Sequence, residues 1–209
     1  MNRKSITSLA ILLFLGGAFA AVQIFGVSGM SDNKSAAIEK TISPEVEARV
    51  ESGELMQATF GAGCFWGVEQ KFAQLDGVIA TEVGYTGGDV TEPTYKMVCS
   101  GRTGHAEVVR VIYNAEEIGY EDLLDAFFAL HNPTTPNRQG WDVGTQYRSA
   151  VFFHSPDQEA AARKKIKQLD EQGAFGRPIV TEIAPADEFW RAEEYHQKYY
   201  AKNGGSCKF

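Results

Sequence analysis

The sequence predicts an α+β chain: a ferredoxin-like two-layer α/β sandwich core with an extra strand, an extra helix and a C-terminal coil. The first six elements marked by hydropathy periodicity run strand, helix, strand, strand, helix, strand, which is the order of a split βαβ sandwich. The 209 residues, 44% of them hydrophobic, supply one core rather than two. No internal repeat and no second core-sized segment interrupts the pattern.

The elements follow in order. Residues 55–61 are short and apolar and run into a glycine-rich turn, so they predict a buried strand. Phe65, Val68, Phe72 and Leu75 recur at helical spacing, and Gly77 stops that helix. Residues 78–85 predict a strand, and Gly87-Gly88 opens a loop lasting to about residue 100. In 105–113, Ala106, Val108, Arg110 and Ile112 alternate with His105, Glu107, Val109, Val111 and Tyr113, a strand with one face small or apolar apart from Arg110 and the other carrying Glu107 among valines. Leu123, Leu124, Phe127, Phe128 and Leu130 mark a helix over 120–130. The irregular run 131–146, with Pro133, Pro136, Gly140 and Gly144, is a long loop, and loops of that length inside a domain usually serve function. A strand over 148–154, a helix opened by Ser155-Pro156 and ended by Gly173, and a strand over 179–184 come next. Phe189, Trp190, Tyr195, Tyr199 and Tyr200 predict a short aromatic helix before a Gly-Gly-Ser-Cys tail.

Residues 1–30 stand apart from the domain. Arg3 and Lys4 precede an uncharged stretch with an apolar centre, and Ala18-Phe19-Ala20 offers a small-x-small cleavage site. The stretch is also long enough to span a bilayer uncleaved, at about 20 residues. It is therefore either a signal peptide or an N-terminal membrane anchor. Both place the rest of the chain outside the cytoplasm, periplasmic or otherwise extracytoplasmic, and the second holds it at the inner membrane by residues 6–28. Residues 31–53 read as a polar tether with at most a short helix over 44–50, which leaves 54–209 as the functional domain. The net charge of −7 becomes −9 once Arg3 and Lys4 are set aside, and there is no basic stripe. Nucleic acid is thereby excluded as a partner, and a monomer is expected.

Three cysteines, Cys64, Cys99 and Cys207, are too widely spaced for a zinc knuckle or a Cys-x-x-Cys motif, and their odd number leaves one outside any internal pairing. His105, His131, His154 and His196 are scattered, so no metal site is expected. Cys64 lies at a strand-to-helix junction in Gly61-Ala62-Gly63-Cys64-Phe65-Trp66-Gly67. The N–H groups of a starting helix favour thiolate there, whereas an isolated cysteine commonly packs as a small hydrophobe. The residues alone leave both readings open. Glu107 is similarly ambiguous, a carboxyl among valines that either titrates high or faces solvent.

Gly63-Cys64-Phe65-Trp66-Gly67, Gly84-Tyr85-Thr86-Gly87-Gly88, Gly104-His105-Ala106-Glu107 and Gly144-Thr145-Gln146-Tyr147-Arg148-Ser149, in that order, resemble the peptide methionine sulfoxide reductase A family. The likeness spans residues 60–196. It implies a thiol-dependent reduction of methionine S-sulfoxide, free or in proteins, with no bound cofactor and a thioredoxin-like dithiol as external reductant. It further implies Cys64 as nucleophile, Glu107 as acid, Tyr95 and Tyr147 as donors to the sulfoxide oxygen, and Asp142 as a carboxylate of the site. Phe65 and Trp66 become the walls of a methyl pocket, and Cys207, behind Gly204-Gly205-Ser206, becomes the recycling thiol that forms a disulfide with Cys64. Cys99 falls at a position without a catalytic role and takes a structural one. Trp141, before Asp142, stands where the resemblance leads one to expect a smaller side chain. Two other classes compete: a thiol hydrolase or acyltransferase pairing Cys64 with His105, His131 or His196, and a membrane-tethered binding domain without chemistry.

Overall fold

The computed structural model describes residues 40–206, so the leader, the first part of the tether and Cys207 lie outside the described residues. The elements are α1 (Pro44–Glu51), β1 (Met56–Ala62), α2 (Phe65–Ala73), β2 (Val78–Thr86), α3 (Tyr95–Cys99), β3 (Ala106–Tyr113), α4 (Tyr120–Ala129), β4 (Arg138–Gln139) and β5 (Asp142–Val143). A 3-10 turn (Thr145–Tyr147), β6 (Ser149–Phe153), α5 (Pro156–Glu171), β7 (Glu182–Pro185), β8 (Trp190–Arg191) and α6 (Tyr199–Asn203) follow.

The main sheet has the order β7-β6-β1-β3-β2-β8. Every pair is antiparallel except β6–β7. β1 and β2 therefore run parallel with β3 inserted between them, and β3 and β6 run parallel with β1 between them. These are the two split βαβ units the sequence predicts, with α2 and α4 as their crossovers. The β6–α5–β7 unit adds the extra strand and helix.

Periodicity explains which face each strand turns to the helices. Phe60 opposes Val109 and Ala58 opposes Val111, with Val83 opposing Val109 on the other side. The Phe60 ring stacks on Phe72 of α2 at 5.0 Å and on Phe127 of α4 at 5.2 Å, so one side chain ties both helices to the central strand. The opposite face is covered as well. Ala106, Val108, Ala150 and Phe152 lie beneath Ala184, Ala186 and Phe189, while Leu55, Ala80 and Ile112 lie beneath Ile42, Val46 and Val50.

The short helix expected over 44–50 is α1, and it packs on this second face. Ser43 caps α1 by accepting from the Val46 N–H, Pro44 occupies the first turn, and the helix docks on the sheet. Arg110, the one charge on that face of β3, donates to both Glu47 carboxylate oxygens at 2.7 Å and to Gln57 at 2.9 Å. Three expectations change. The loop after Gly87 contains α3, capped by Thr94. The long loop contains the β4–β5 hairpin and the 3-10 turn. The aromatic helix over 189–200 is replaced by β8, a turn-rich segment and the short α6, because its aromatic residues are spaced for partners elsewhere in the fold rather than for one helical face.

Candidate active site

Cys64 is the N-cap residue of α2, half-buried where β1 feeds the helix. Gly63 makes this turn with φ +90, and a Cβ on it would stand 2.8 Å from Cβ and Cγ of Gln139. Gly63→Ala is thus expected to cost at least about 1–2 kcal/mol in backbone strain alone and to push the β4–β5 hairpin away. Urea denaturation and a sulfoxide activity assay should both register the change.

Glu107 faces the helix layer from β3, opposite Tyr85 of β2, and is 2% exposed. Its Oε2 accepts the Phe65 N–H at 3.1 Å, one residue after Cys64. Burial pushes the carboxyl up to about 8; the Phe65 N–H opposes this and the nearby Asp142 charge adds to it. The group is therefore mostly protonated at neutral pH, with one oxygen held by the backbone and the other available to carry a proton into the site.

Tyr95 opens α3 and Tyr147 ends the 3-10 turn. Burial, reinforced by Cys99, Glu107 and other anionic neighbours, raises both phenols above their ordinary value, so they remain donors. Tyr147 shares its electrostatic surroundings with Glu107, Asp142 and Cys64, and Tyr95 shares its own with Glu107 and Tyr147. These residues, drawn from five parts of the chain, form one cluster. Asp142 is exposed at its edge on β5. Arg148 fixes the surrounding loops: its guanidinium donates to the carbonyls of Gly87, Gly104 and Thr145 and pairs with Glu182 at 2.6 Å.

Phe65 and Trp66 have different environments. Phe65 is fully buried, its ring against Tyr85 and His196 at 5.9 and 5.1 Å. Trp66 is half-buried and stacks on Tyr199 at 3.8 Å with 7° between planes. Its indole N–H donates to Nδ1 of His196 at 3.0 Å. Glu193 joins the same corner, accepting the Tyr95 N–H at 2.9 Å and the Tyr85 hydroxyl at 3.0 Å. Sequence marks Tyr85 only as part of a motif and His196 only as a base in a competing reading, and it gives Tyr199 and Glu193 no site role; the signal for Tyr199 is the aromatic density of 189–200.

Beneath this corner, Lys198 takes a left-handed backbone conformation, φ +54, and is buried with Glu69 of α2. The ammonium donates to Glu69 at 2.7 Å and to Thr81, and the Lys198 N–H donates to the second Glu69 oxygen at 2.8 Å. Gln197 brackets β2 by donating to the Val83 carbonyl and accepting its N–H. The segment carrying His196 and Tyr199 is thereby locked to α2 and β2. Beyond it, Gln70 of α2 donates to the Gly205 carbonyl at 3.3 Å, so the tail starts out along the helix that presents Cys64.

Cys99 is exposed at the end of α3, beside the Tyr95 hydroxyl. The three histidines considered as bases for Cys64 serve other groups. His105 donates to the Val90 carbonyl, His131 is held between the Phe127 carbonyl and Ser149, and His196 accepts from Trp66. Burial also lowers His131 to about 4, which keeps it neutral.

Comparison with known proteins identifies the family. The family model described as peptide methionine sulfoxide reductase matches residues 56–209. The peptide methionine sulfoxide reductase MsrA of Methanoculleus marisnigri is 61% identical over 151 residues, covering 72% of this chain and 92% of the relative. Among solved structures, Mxr1 from Saccharomyces cerevisiae in reduced form superposes with a TM-score of 0.70 at 38% identity, covering 75% of this chain and 90% of the other. The same yeast protein in complex with Trx2 matches with a TM-score of 0.51 at 28% identity, covering 70% of this chain and 86% of the other. The chain belongs to the peptide methionine sulfoxide reductase family.

Proposed function

We propose that the Cys64 cluster reduces methionine S-sulfoxide, free or within polypeptides, in the following way. The methyl group on sulfur enters the apolar wall made by Phe65 and Trp66, and the sulfoxide oxygen meets Glu107, Tyr95 and Tyr147. Glu107 gives its proton to the oxygen while the two phenols stabilise the charge that develops there. The Cys64 thiolate attacks sulfur, the protonated oxygen is transferred to the Cys64 sulfur as its bond to the methionine sulfur breaks, and methionine leaves with Cys64 as a sulfenic acid. The Cys207 thiol then condenses with the sulfenic acid, releasing water and forming a Cys64–Cys207 disulfide. A dithiol reduces that disulfide and becomes oxidised itself. The family supports the chemistry, and a thioredoxin-type donor is supported by the yeast Mxr1–Trx2 complex.

The single observation that carries the reading is the Glu107 carboxyl, buried, kept neutral near pH 7 and fixed to the N–H next to Cys64. The direct test incubates the leader-free domain with a dithiol and each sulfoxide epimer. Methionine release from the S epimer is expected, and its absence from both epimers would overturn the reading. Cys207→Ser should give about one turnover with a thioredoxin-type donor yet cycle with a small dithiol. Full activity with both would remove Cys207 from the mechanism. We further propose export of the domain by residues 1–30, which a mass measurement of the mature protein and a fractionation assay would check.

A further inference from the structure

Trp141 is 96% exposed, the most exposed large hydrophobic side chain among the described residues. It sits at the turn of the β4–β5 hairpin, where Gly140 has φ +58 and the ladder pairs Gln139 with Asp142. The hairpin is pinned. Arg138 donates to the Gly140 carbonyl at 2.8 Å, Gly144 N–H donates to Asn137 at 2.9 Å, and Gln139 exchanges hydrogen bonds with Asn132. One face of this arm belongs to the site: Gln139 lies against Gly63, and Asp142 acts on Glu107 and Tyr147. Elsewhere around the same cluster, Tyr195 is 60% exposed with its ring on His196 at 4.1 Å, and His196 lies on Phe65. A bulky apolar group held in water by a braced hairpin gains nothing for the folded monomer.

We infer that Trp141 is a specificity residue that grips the polypeptide next to the oxidised methionine, and that Tyr195 offers a second apolar contact to that polypeptide. The occupant follows from the pocket. If the sulfoxide side chain enters between Phe65, Trp66 and Glu107, its own backbone must leave across the rim, and neighbouring residues, spaced about 3.3 Å apart when extended, pass over the hairpin tip. Methionine is mostly found among apolar neighbours, and its oxidation disrupts such packing and exposes them. The preferred substrate class is thus an unfolded segment with large apolar residues beside the sulfoxide. This inference rests on the proposed sulfoxide pocket and adds the source of its peptide preference.

The test compares Trp141→Ala and Trp141→Phe with the unaltered protein on three substrates of S configuration: N-acetyl-methionine sulfoxide amide, a heptapeptide with Leu and Phe flanks, and one with Gly and Ser flanks. A small dithiol serves as reductant, so donor docking does not enter. Trp141→Ala is expected to raise KM about tenfold for the apolar heptapeptide, with kcat kept, and less than twofold for the other two, while Trp141→Phe restores most of the loss. Equal effects on all three substrates, or none, would overturn the inference. Loss confined to assays with a thioredoxin-type protein donor would assign Trp141 to the reductant and overturn it too. In a Cys64→Ser background, the apolar peptide should shield tryptophan fluorescence from acrylamide more than in the same background carrying Trp141→Phe; equal shielding in the two at saturating peptide also counts against the inference. Retained activity on the N-acetyl substrate separates failure of this inference from failure of the sulfoxide reading itself.

Discussion

Glu107→Gln is expected to lose activity and gain stability in the same experiment. Removing the proton donor should slow sulfoxide reduction by about 10²–10⁴-fold in single-turnover measurements, the usual span for a positioned general acid. The pH dependence follows from the direction of the shift. The folded-state carboxyl is raised from 4.5 to about 8, so the acid form that the proposed mechanism needs persists to that pH and is lost above it. The unaltered protein should show an alkaline limb near pH 8 in the reductase step, and the glutamine variant should lack it. Stability runs the other way. Between about 4.5 and 8 the folded state keeps a proton that the unfolded chain releases, so rising pH destabilises the fold through this group, by on the order of 4–5 kcal/mol once both states are ionised. Below the unfolded value both states are protonated and the effect is absent. Glu107→Gln removes the penalty, so its advantage over the parent in urea midpoint should grow from pH 5 to pH 9. A variant no more stable than the parent at pH 9 would mean that the carboxyl is not buried as described.

Lys198→Met is expected to be the most damaging change away from the chemistry. It leaves Glu69, 1% exposed, without its cation, and breaking a buried pair on one side costs about 3–5 kcal/mol. Replacing both partners with apolar residues is far milder, because no uncompensated charge remains in the interior. Lys198→Met should therefore lower the urea midpoint sharply, and Glu69→Met with Lys198→Met should recover most of the loss. Activity is expected to follow stability only in part. Lys198 immediately precedes Tyr199, whose ring backs the Trp66 indole, so loosening the segment should raise KM for sulfoxide even where the fold persists. Double-mutant cycles at a temperature where every variant is folded would separate the two effects.

Much of this was legible in the chain because the relevant signals are local. The spacing of Phe65, Val68 and Phe72 marks α2, and the strict alternation through β3 puts Glu107 on the same face as Val109 and Val111, which is why it ends buried against the helix layer. The glycine before Cys64 marks a turn that only a residue tolerant of positive φ makes without strain. What sequence did not disclose depends on partners far along the chain. His196 reads as one scattered histidine until the Trp66 indole, 130 residues away, donates to it. Residues 189–200 read as one helix because aromatic density resembles a buried face, whereas Tyr195 covers His196 and Tyr199 covers Trp66 from an irregular segment and the short α6. Glu69 and Lys198 carry charges that composition assigns to the surface, and only the fold pairs them. The docking of α1 was not legible because its apolar residues are few, and the Glu47 that secures it is matched by Arg110 from the middle of a strand.

The locked segment ending at Lys198 also sets how far the recycling thiol can wander. After α6 closes at Asn203, only Gly204, Gly205 and Ser206 precede Cys207, a reach of at most about 14 Å. In the proposed cycle, a thiol leashed that closely would meet the Cys64 sulfenic acid at an effective concentration of about the millimolar range, whatever the supply of dissolved thiols. Rapid capture matters because a sulfenic acid left waiting meets more oxidant and climbs to the sulfinic state, which thiols do not reverse. Lengthening the Gly204-Gly205 link would dilute Cys207 as seen from Cys64, so in the proposed cycle the anchor that backs the Trp66 ring would also protect Cys64 from over-oxidation.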